Sequence, residues 1–319
     1  GKVFGPTFLQ KGGPPEANKE YVMNKESKVG TWFRQIRGPF LLLAAFLTLI
    51  GIAAAYRDGF SHLWHSLLLI VGVVLAHISV NLFNELSDYK TKIDEHPPPT
   101  PFSGGSGMMQ SGKTKPAAVT AAAYGAMFLA AAIGFYFCVV STWYILVFMT
   151  AGGIAIRFYT SHLARWLLGE FFSGLTLGSF VVLGTYMALT GQLNINIVYI
   201  SIPPGILTTL LLFLNEFPDA EADKKGGRFH MIIHFGKKKS ASIYAAAMPV
   251  LYILILAGPF ILDIPYTVLI ALLTLPIAGK AVSIALKFHS DTAKLVPALG
   301  MNVMVVLLTD LLLAVGYFI

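Results

Sequence analysis

The sequence predicts an all-α membrane protein with nine transmembrane helices around a central cavity. Three observations carry that expectation. Of 319 residues, 55% are hydrophobic and only 12% charged, against roughly 25% charged in an ordinary soluble domain, and the mean hydropathy is +0.69. A spanning helix needs about 20 mainly apolar residues. Nine stretches qualify, at roughly 39–57, 63–84, 117–140, 142–160, 167–190, 196–216, 240–261, 264–286 and 295–318. With nine spans the connections alternate sides, and 22 of the 23 Lys and Arg then fall on one side.

Residues 1–29 are polar, with Gly12-Gly13-Pro14-Pro15 and scattered lysines. They hold no apolar core of the kind a signal peptide needs. The segment is expected to be mobile or to lie along the membrane surface, and one reading of Gly1 in place of Met is that part of it is a cloning remnant. Residues 30–319 form the transmembrane domain. Its first span ends at Arg57, the one basic residue on the far side. The second ends in Asn84-Glu85-Leu86-Ser87-Asp88, with Asp94 beyond. The loop 95–116 follows, rich in Pro, Gly and Ser. Its prolines bar a regular helix, and its Gly-Ser run can turn backbone N–H groups into an anion-binding nest.

Arg157 and Arg165 mark the connection after the fourth span. The sixth ends in Asn215-Glu216-Phe217-Pro218-Asp219-Ala220-Glu221-Ala222-Asp223, and a lysine-rich loop leads to the seventh. Lys280–Lys294 joins the last two spans. The positive-inside rule places the N-terminus and both acidic motifs at the cytoplasmic face and the C-terminus opposite. The net charge of +7 is therefore a topology signal, with attraction to anionic membrane lipids added. Nucleic-acid binding is excluded, because the charge is spread over short loops. Cys138, the single cysteine, sits in an apolar run, so it reads as an inert buried thiol.

Carboxylates beside membrane-length apolar runs are costly and mark function. The two acidic motifs each close an even-numbered span and suggest two similarly oriented halves facing a common cavity. His77, Asn81, Asn84 and Asp88 follow one helical stripe. Asp94 joins Asp88 only if the helix ends or bends between them. Asn215, Asp219 and Asp223 are spaced i, i+4, i+8, but Pro218 predicts a break near Glu216-Phe217, with a new helix starting at the proline. The free N–H groups of that helix start would favour phosphate oxygens. A few Asp ligands, completed by phosphate oxygens and water, are the usual Mg²⁺ arrangement. The bland alternative is that these carboxylates pair with loop lysines at a wet interface. His77, alone on a mostly apolar helix, is more often structural.

These motifs resemble the UbiA superfamily of intramembrane prenyltransferases over nearly the whole chain from about residue 30. The spacing of Asn84, Asp88 and Asp94 is similar to the MenA-like branch, as are Ser103-Gly104-Gly105-Ser106-Gly107, Ser111-Gly112, Gly169-Glu170, and Gly226 with Arg228. The resemblance implies transfer of a polyprenyl group from its diphosphate to a lipid-soluble aromatic acceptor, 1,4-dihydroxy-2-naphthoate or similar, through an allylic cation. It implies Mg²⁺ held by Asp88, Asp94, Asp219 and Asp223, with Asn84 and Asn215 orienting the shell or the diphosphate. It further implies Arg37, Lys113 and Arg165 on the diphosphate and Tyr159 near the reacting carbon, where an aromatic face stabilises the cation. One departure is the run Gly226-Gly227-Arg228-Phe229-His230-Met231, which lacks one basic residue of the family pattern.

Other readings stay open on the residues alone. A non-aromatic acceptor or terpene cyclisation would use the same site. An ion-coupled transporter would place its ionisable groups nearer the bilayer midplane and release no diphosphate.

Overall fold

The computed structural model describes residues 27–91, 100, 105–158 and 167–319. Every regular element among them is helical. Ser27 caps α1 (Lys28–Gln35) by accepting the Gly30 N–H at 3.1 Å. The chain then turns at Arg37, whose φ of 54° is left-handed. A short 3₁₀ turn at Gly38–Phe40 leads into α2 (Leu41–Arg57), which is followed by α3 (Leu63–Thr91), α4 (Pro116–Val140) and α5 (Ile145–Phe158). The next span is composite: α6 (Gly169–Ser173) runs through a π-helical segment, Gly174–Ser179, into α7 (Phe180–Thr190). A second composite joins α8 (Ile195–Ile200) to α9 (Ile202–Lys225). Then come α10 (Met231–Phe235), α11 (Lys237–Ile261), a 3₁₀ stretch at Tyr266–Thr274 continuing as α12 (Leu275–Phe288), and α13 (Thr292–Phe318).

Among the described residues, eight helices are long and apolar enough to cross a membrane. The chain is an integral, multi-pass membrane protein. The expected span at 142–160 is represented by α5, whose 14 residues extend about 21 Å at 1.5 Å per residue. That is short of the roughly 30 Å hydrocarbon core. With the eight longer apolar helices among the described residues, this helix is roughly consistent with the nine-helix layout.

α13 packs against α2, α9 and α12, and Leu47, Ile50, Leu207, Leu214, Leu299 and Val305 bury their side chains in this core. A separate small cluster, Leu82, Leu86, Met109, Val119 and Ala123, sits beneath the first acidic motif with Trp32 and Ile36 against it. At the opposite end, Asp58 accepts from the Tyr186 hydroxyl at 2.5 Å and from Asn194 at 3.1 Å, and Arg57 lies 3.8 Å from Asp263. The turns after α2, α7 and α11 therefore share one end, and both acidic motifs lie at the other.

The sixth span corrects one expectation. α9 passes through Pro218 without a break and ends at Lys225. Neighbouring helices make an internal proline tolerable in a membrane span, because they re-satisfy the backbone groups it frees. Pro218 is itself buried. No new helix starts at residue 218, so no free N–H groups face the motif there. The gain is alignment: on one continuous helix Asn215, Asp219 and Asp223 share a stripe.

The π-helical segment lies hard against α9. A Cβ on Gly178 would come 2.7 Å from the Gly205 Cα and 2.9 Å from the Pro204 carbonyl oxygen, both rigid backbone. Small residues permit such helix approach in membranes. Gly178→Val is expected to cost about 1–3 kcal/mol through overpacking, read as a lower thermal midpoint of the purified protein. An unchanged midpoint would show that these two helices can part without loss.

Candidate active site

The first motif is built on the last turns of α3. His77, Asn81, Leu86 and Asp88 are buried there, with Asn84 half-buried. Asn81 donates through Nδ2 to the Ile36 carbonyl at 3.0 Å, tying α3 to the chain just before Arg37. Glu85, 1% exposed, organises this corner. It accepts from Arg37 Nε at 2.9 Å, from Gln35 Nε2 at 3.1 Å, and from the Ser106 backbone N–H and hydroxyl at 2.9 and 2.5 Å. The Thr114 hydroxyl donates to Gln35 Oε1 at 2.6 Å. Arg37 also reaches to 3.8 Å from Asp88.

The second motif occupies the end of α9. Asp223, buried, accepts from Arg228 at 2.8 Å. The same guanidinium hydrogen-bonds Asp88. One side chain thus joins two carboxylates that are far apart in sequence, and the two motifs converge. His230, 2% exposed, lies behind them. Its Nε2 is 3.3 Å from Asp223 and its Nδ1 3.5 Å from Glu216. Neither contact has hydrogen-bond geometry. Glu170, from the start of α6, accepts the Met231 N–H at 2.7 Å through Oε1.

Of the residues proposed from sequence, Arg37, Asp88 and Asp223 meet at this corner, and Asn84, Asn215 and Asp219 stand on the same two helical stripes. Lys113 is exposed, on the turn before buried Thr114. Asp94, Tyr159 and Arg165 lie outside the described residues. So do Ser103 and Gly104, while Ser106, expected in an open anion nest, directs its N–H to Glu85.

Sequence reasoning assigned no role to Glu85, Glu216 or His230, and named Arg228 only as a family-like residue after the second motif. A signal for the two glutamates was present: both motifs read Asn-Glu-x-x-Asp. Nothing in the sequence marked Arg228 as the group bridging them.

On the membrane side of this corner lies an apolar cavity of about 230 Å³, among its lining residues His77, Ala131, Phe148, Ile156, Phe180 and Gly184. His77 is 11 residues from Asp88 on the same stripe of α3, about 16 Å along the helix axis. The site therefore has a charged head and an apolar body, arranged along one helix.

Residues 44–306 match the UbiA prenyltransferase family. The chain belongs to this family. As a prenyltransferase it is an enzyme, which sets aside the transporter reading. It is 31% identical over 233 residues, covering 72% of this chain and 73% of the other, to the 1,4-dihydroxy-2-naphthoate octaprenyltransferase of Bacillus subtilis. It is 23% identical over 150 residues, covering 47% and 49%, to the 2-carboxy-1,4-naphthoquinone phytyltransferase of Synechocystis. Its likeness to the MenA-like branch is thus carried by more than the acidic motifs. Among solved structures, the UbiA homologue of Aeropyrum pernix superposes on this prenyltransferase with a TM-score of 0.67 at 16% identity, covering 87% of this chain and 96% of that one. A UbiA homologue of Archaeoglobus fulgidus bound to DMAPP and Mg²⁺ superposes with a TM-score of 0.56 at 14% identity, covering 89% and 99%.

Proposed function

We propose that this prenyltransferase moves a polyprenyl group from its diphosphate to 1,4-dihydroxy-2-naphthoate or a closely similar aromatic acceptor, with Mg²⁺ as the metal. The observation that carries the reading is the junction of Asp88, Asp223 and Arg228 at one end of α3, with an apolar cavity lined further along the same helix. An amphiphile with a polyanionic head and an isoprenoid tail matches both parts. The naphthoate-specific relative supports the choice of acceptor, and the homologue bound to DMAPP and Mg²⁺ supports the donor and the metal.

The residues fit a hard cation. The space between the motifs already accommodates a positive group, the Arg228 guanidinium. Asn215 Oδ1 is buried and has no hydrogen-bond partner among the described residues, as an oxygen ligand awaiting a metal would be. Asp88, Asp219 and Asp223, joined by Asp94, would hold Mg²⁺, with Asn84 and Asn215 completing or orienting the shell. When bound, the ion neutralises charge that develops on the leaving diphosphate.

The protein's own groups do the rest. Arg228 and Arg37, with Lys113 and Arg165, bind the diphosphate oxygens and so favour departure of the C1–O electron pair. The cavity walls around His77 and Phe180 hold the allylic tail away from water. Tyr159 is assigned, from the family resemblance, the role of stabilising the cation through its aromatic ring. The acceptor ring carbon supplies the electron pair for the new C–C bond and then sheds its proton. The basic loops support a cytoplasmic face for both motifs and an opposite face for the C-terminus.

The test is incubation of purified protein with Mg²⁺, prenyl diphosphates of several lengths and a panel of acceptors, read by product mass and diphosphate release. A prenylated naphthoate is expected. Products on a glycerol or sugar phosphate alone, or a cyclised prenyl chain, would assign a different acceptor class.

A further inference from the structure

We infer that Glu170, Glu216 and His230 form a second cation site, separate from the aspartate site and selective for a divalent first-row transition ion such as Mn²⁺, Fe²⁺ or Zn²⁺. One ligand atom from each lies within 4.8 Å of the other two. Three different elements bring them together: the start of α6, the last part of α9, and the residue that opens α10.

Burial makes the cluster informative. Glu170 is 0% exposed and His230 2%. Glu170 Oε2, Glu216 Oε2 and both His230 ring nitrogens have no hydrogen-bond partner among the described residues. Buried polar atoms are nearly always satisfied, and several such atoms converging on one point indicate a ligand that fills it. The two carboxyl groups lie near enough to share a proton, and a divalent cation is the ligand that would replace that proton and engage the imidazole as well.

The donor set defines its chemistry, and the one short donor pair is compatible with it. Imidazole is a ligand for transition ions, whereas Mg²⁺ takes oxygen and water. The His230 Nδ1 to Glu216 Oε2 separation is 3.5 Å. Bonds of about 2.1 Å at tetrahedral angles put donors about 3.4 Å apart. The surroundings also match a metal's outer shell. Glu170 is oriented by the Met231 N–H on its other oxygen. With Nδ1 on the metal, His230 Nε2 stands 3.3 Å from Asp223, and a small turn of the ring would make this contact a hydrogen bond. A ligating histidine commonly gives its other N–H to a carboxylate. Occupancy of this site therefore orients Asp223. The inference goes beyond prenyl transfer, which needs only the aspartates and Mg²⁺.

The experiment uses the tag-free full chain in lipid nanodiscs, stripped with chelator and titrated with Mn²⁺. Pulsed electron paramagnetic resonance then reads nitrogen coupling to the bound ion. Wild type is expected to show imidazole nitrogen modulation that survives millimolar Mg²⁺ and is displaced by Zn²⁺. His230→Gln is expected to lose the modulation, and His230→Gln and Glu170→Gln each to bind one fewer Mn²⁺ per chain. His77→Gln is expected to keep both. Absence of nitrogen coupling in the wild type overturns the site without any variant, and so does modulation that persists in His230→Gln. Diphosphate release with Mg²⁺, measured on the same preparation, separates the two ideas. Transfer without nitrogen-bound Mn²⁺ removes this site alone, and nitrogen-bound Mn²⁺ without transfer removes the prenyl-transfer reading alone.

Discussion

Replacing Asp88 with Asn is expected to lower diphosphate release by about 10²–10³-fold while leaving the protein folded. The size follows from weakening the hold on Mg²⁺, whose charge offsets that of the departing diphosphate; losing one preorganised electrostatic contact typically costs that order. Folding survives because asparagine is nearly isosteric, keeps an acceptor for Arg228, and leaves Asp223 to pair with the same guanidinium. Asp223→Asn should behave alike. The double variant should be little worse than either single, because the two carboxylates act as one unit and such effects are strongly non-additive. Steady-state release assays with the three variants, beside a thermal scan of each, check this. Wild-type turnover in either single variant removes the assigned role. A double variant whose loss is the product of the two singles would show that the carboxylates act at separate places.

The spans were readable because a bilayer demands long apolar runs, and composition alone reveals those. The polar stripe on α3 was readable for a similar reason: 77, 81, 84 and 88 follow helical spacing, and α3 runs straight through all four. Pro218 was misread because the rule applied to it belongs to helices whose freed carbonyls face water. Packed among other spans, α9 continues. The acidic motifs marked the site, but they did not reveal how it is wired. Glu85 and Glu216 occupy equivalent places in the two motifs and play unlike parts. Glu85 ties Arg37, Gln35 and Ser106 together, while Glu216 faces His230. That difference is set by which segments cross each helix end, a tertiary fact that no local spacing encodes. Arg228 illustrates the same limit: its partners are 5 and 140 residues away, and only the near one follows from sequence distance.

Glu85→Ala is expected to produce the largest loss of stability of any single change at this corner. The carboxylate is 1% exposed and accepts from three residues, one of them a guanidinium. Removing one member of a buried ion pair typically costs about 3–5 kcal/mol, and the loss here falls toward the low end of that range because Arg37 is 27% exposed and keeps Asp88 at 3.8 Å. Arg37 also sits in the left-handed region, a conformation that costs of order 1–3 kcal/mol and persists only when its surroundings enforce it. Glu85 is a principal enforcer, since it grips Arg37 through both Nε and a terminal nitrogen, at 2.9 and 2.8 Å. Glu85→Gln, which retains an acceptor for Ser106 but not the charge, should fall between wild type and alanine. A cycle with Arg37→Met discriminates further. If the ion pair is the main cause, the double variant Arg37→Met/Glu85→Ala should be markedly more stable than the sum of the single losses predicts. Additive losses in that cycle would mean that Glu85 stabilises the corner through Gln35 and Ser106 rather than through the charge of Arg37.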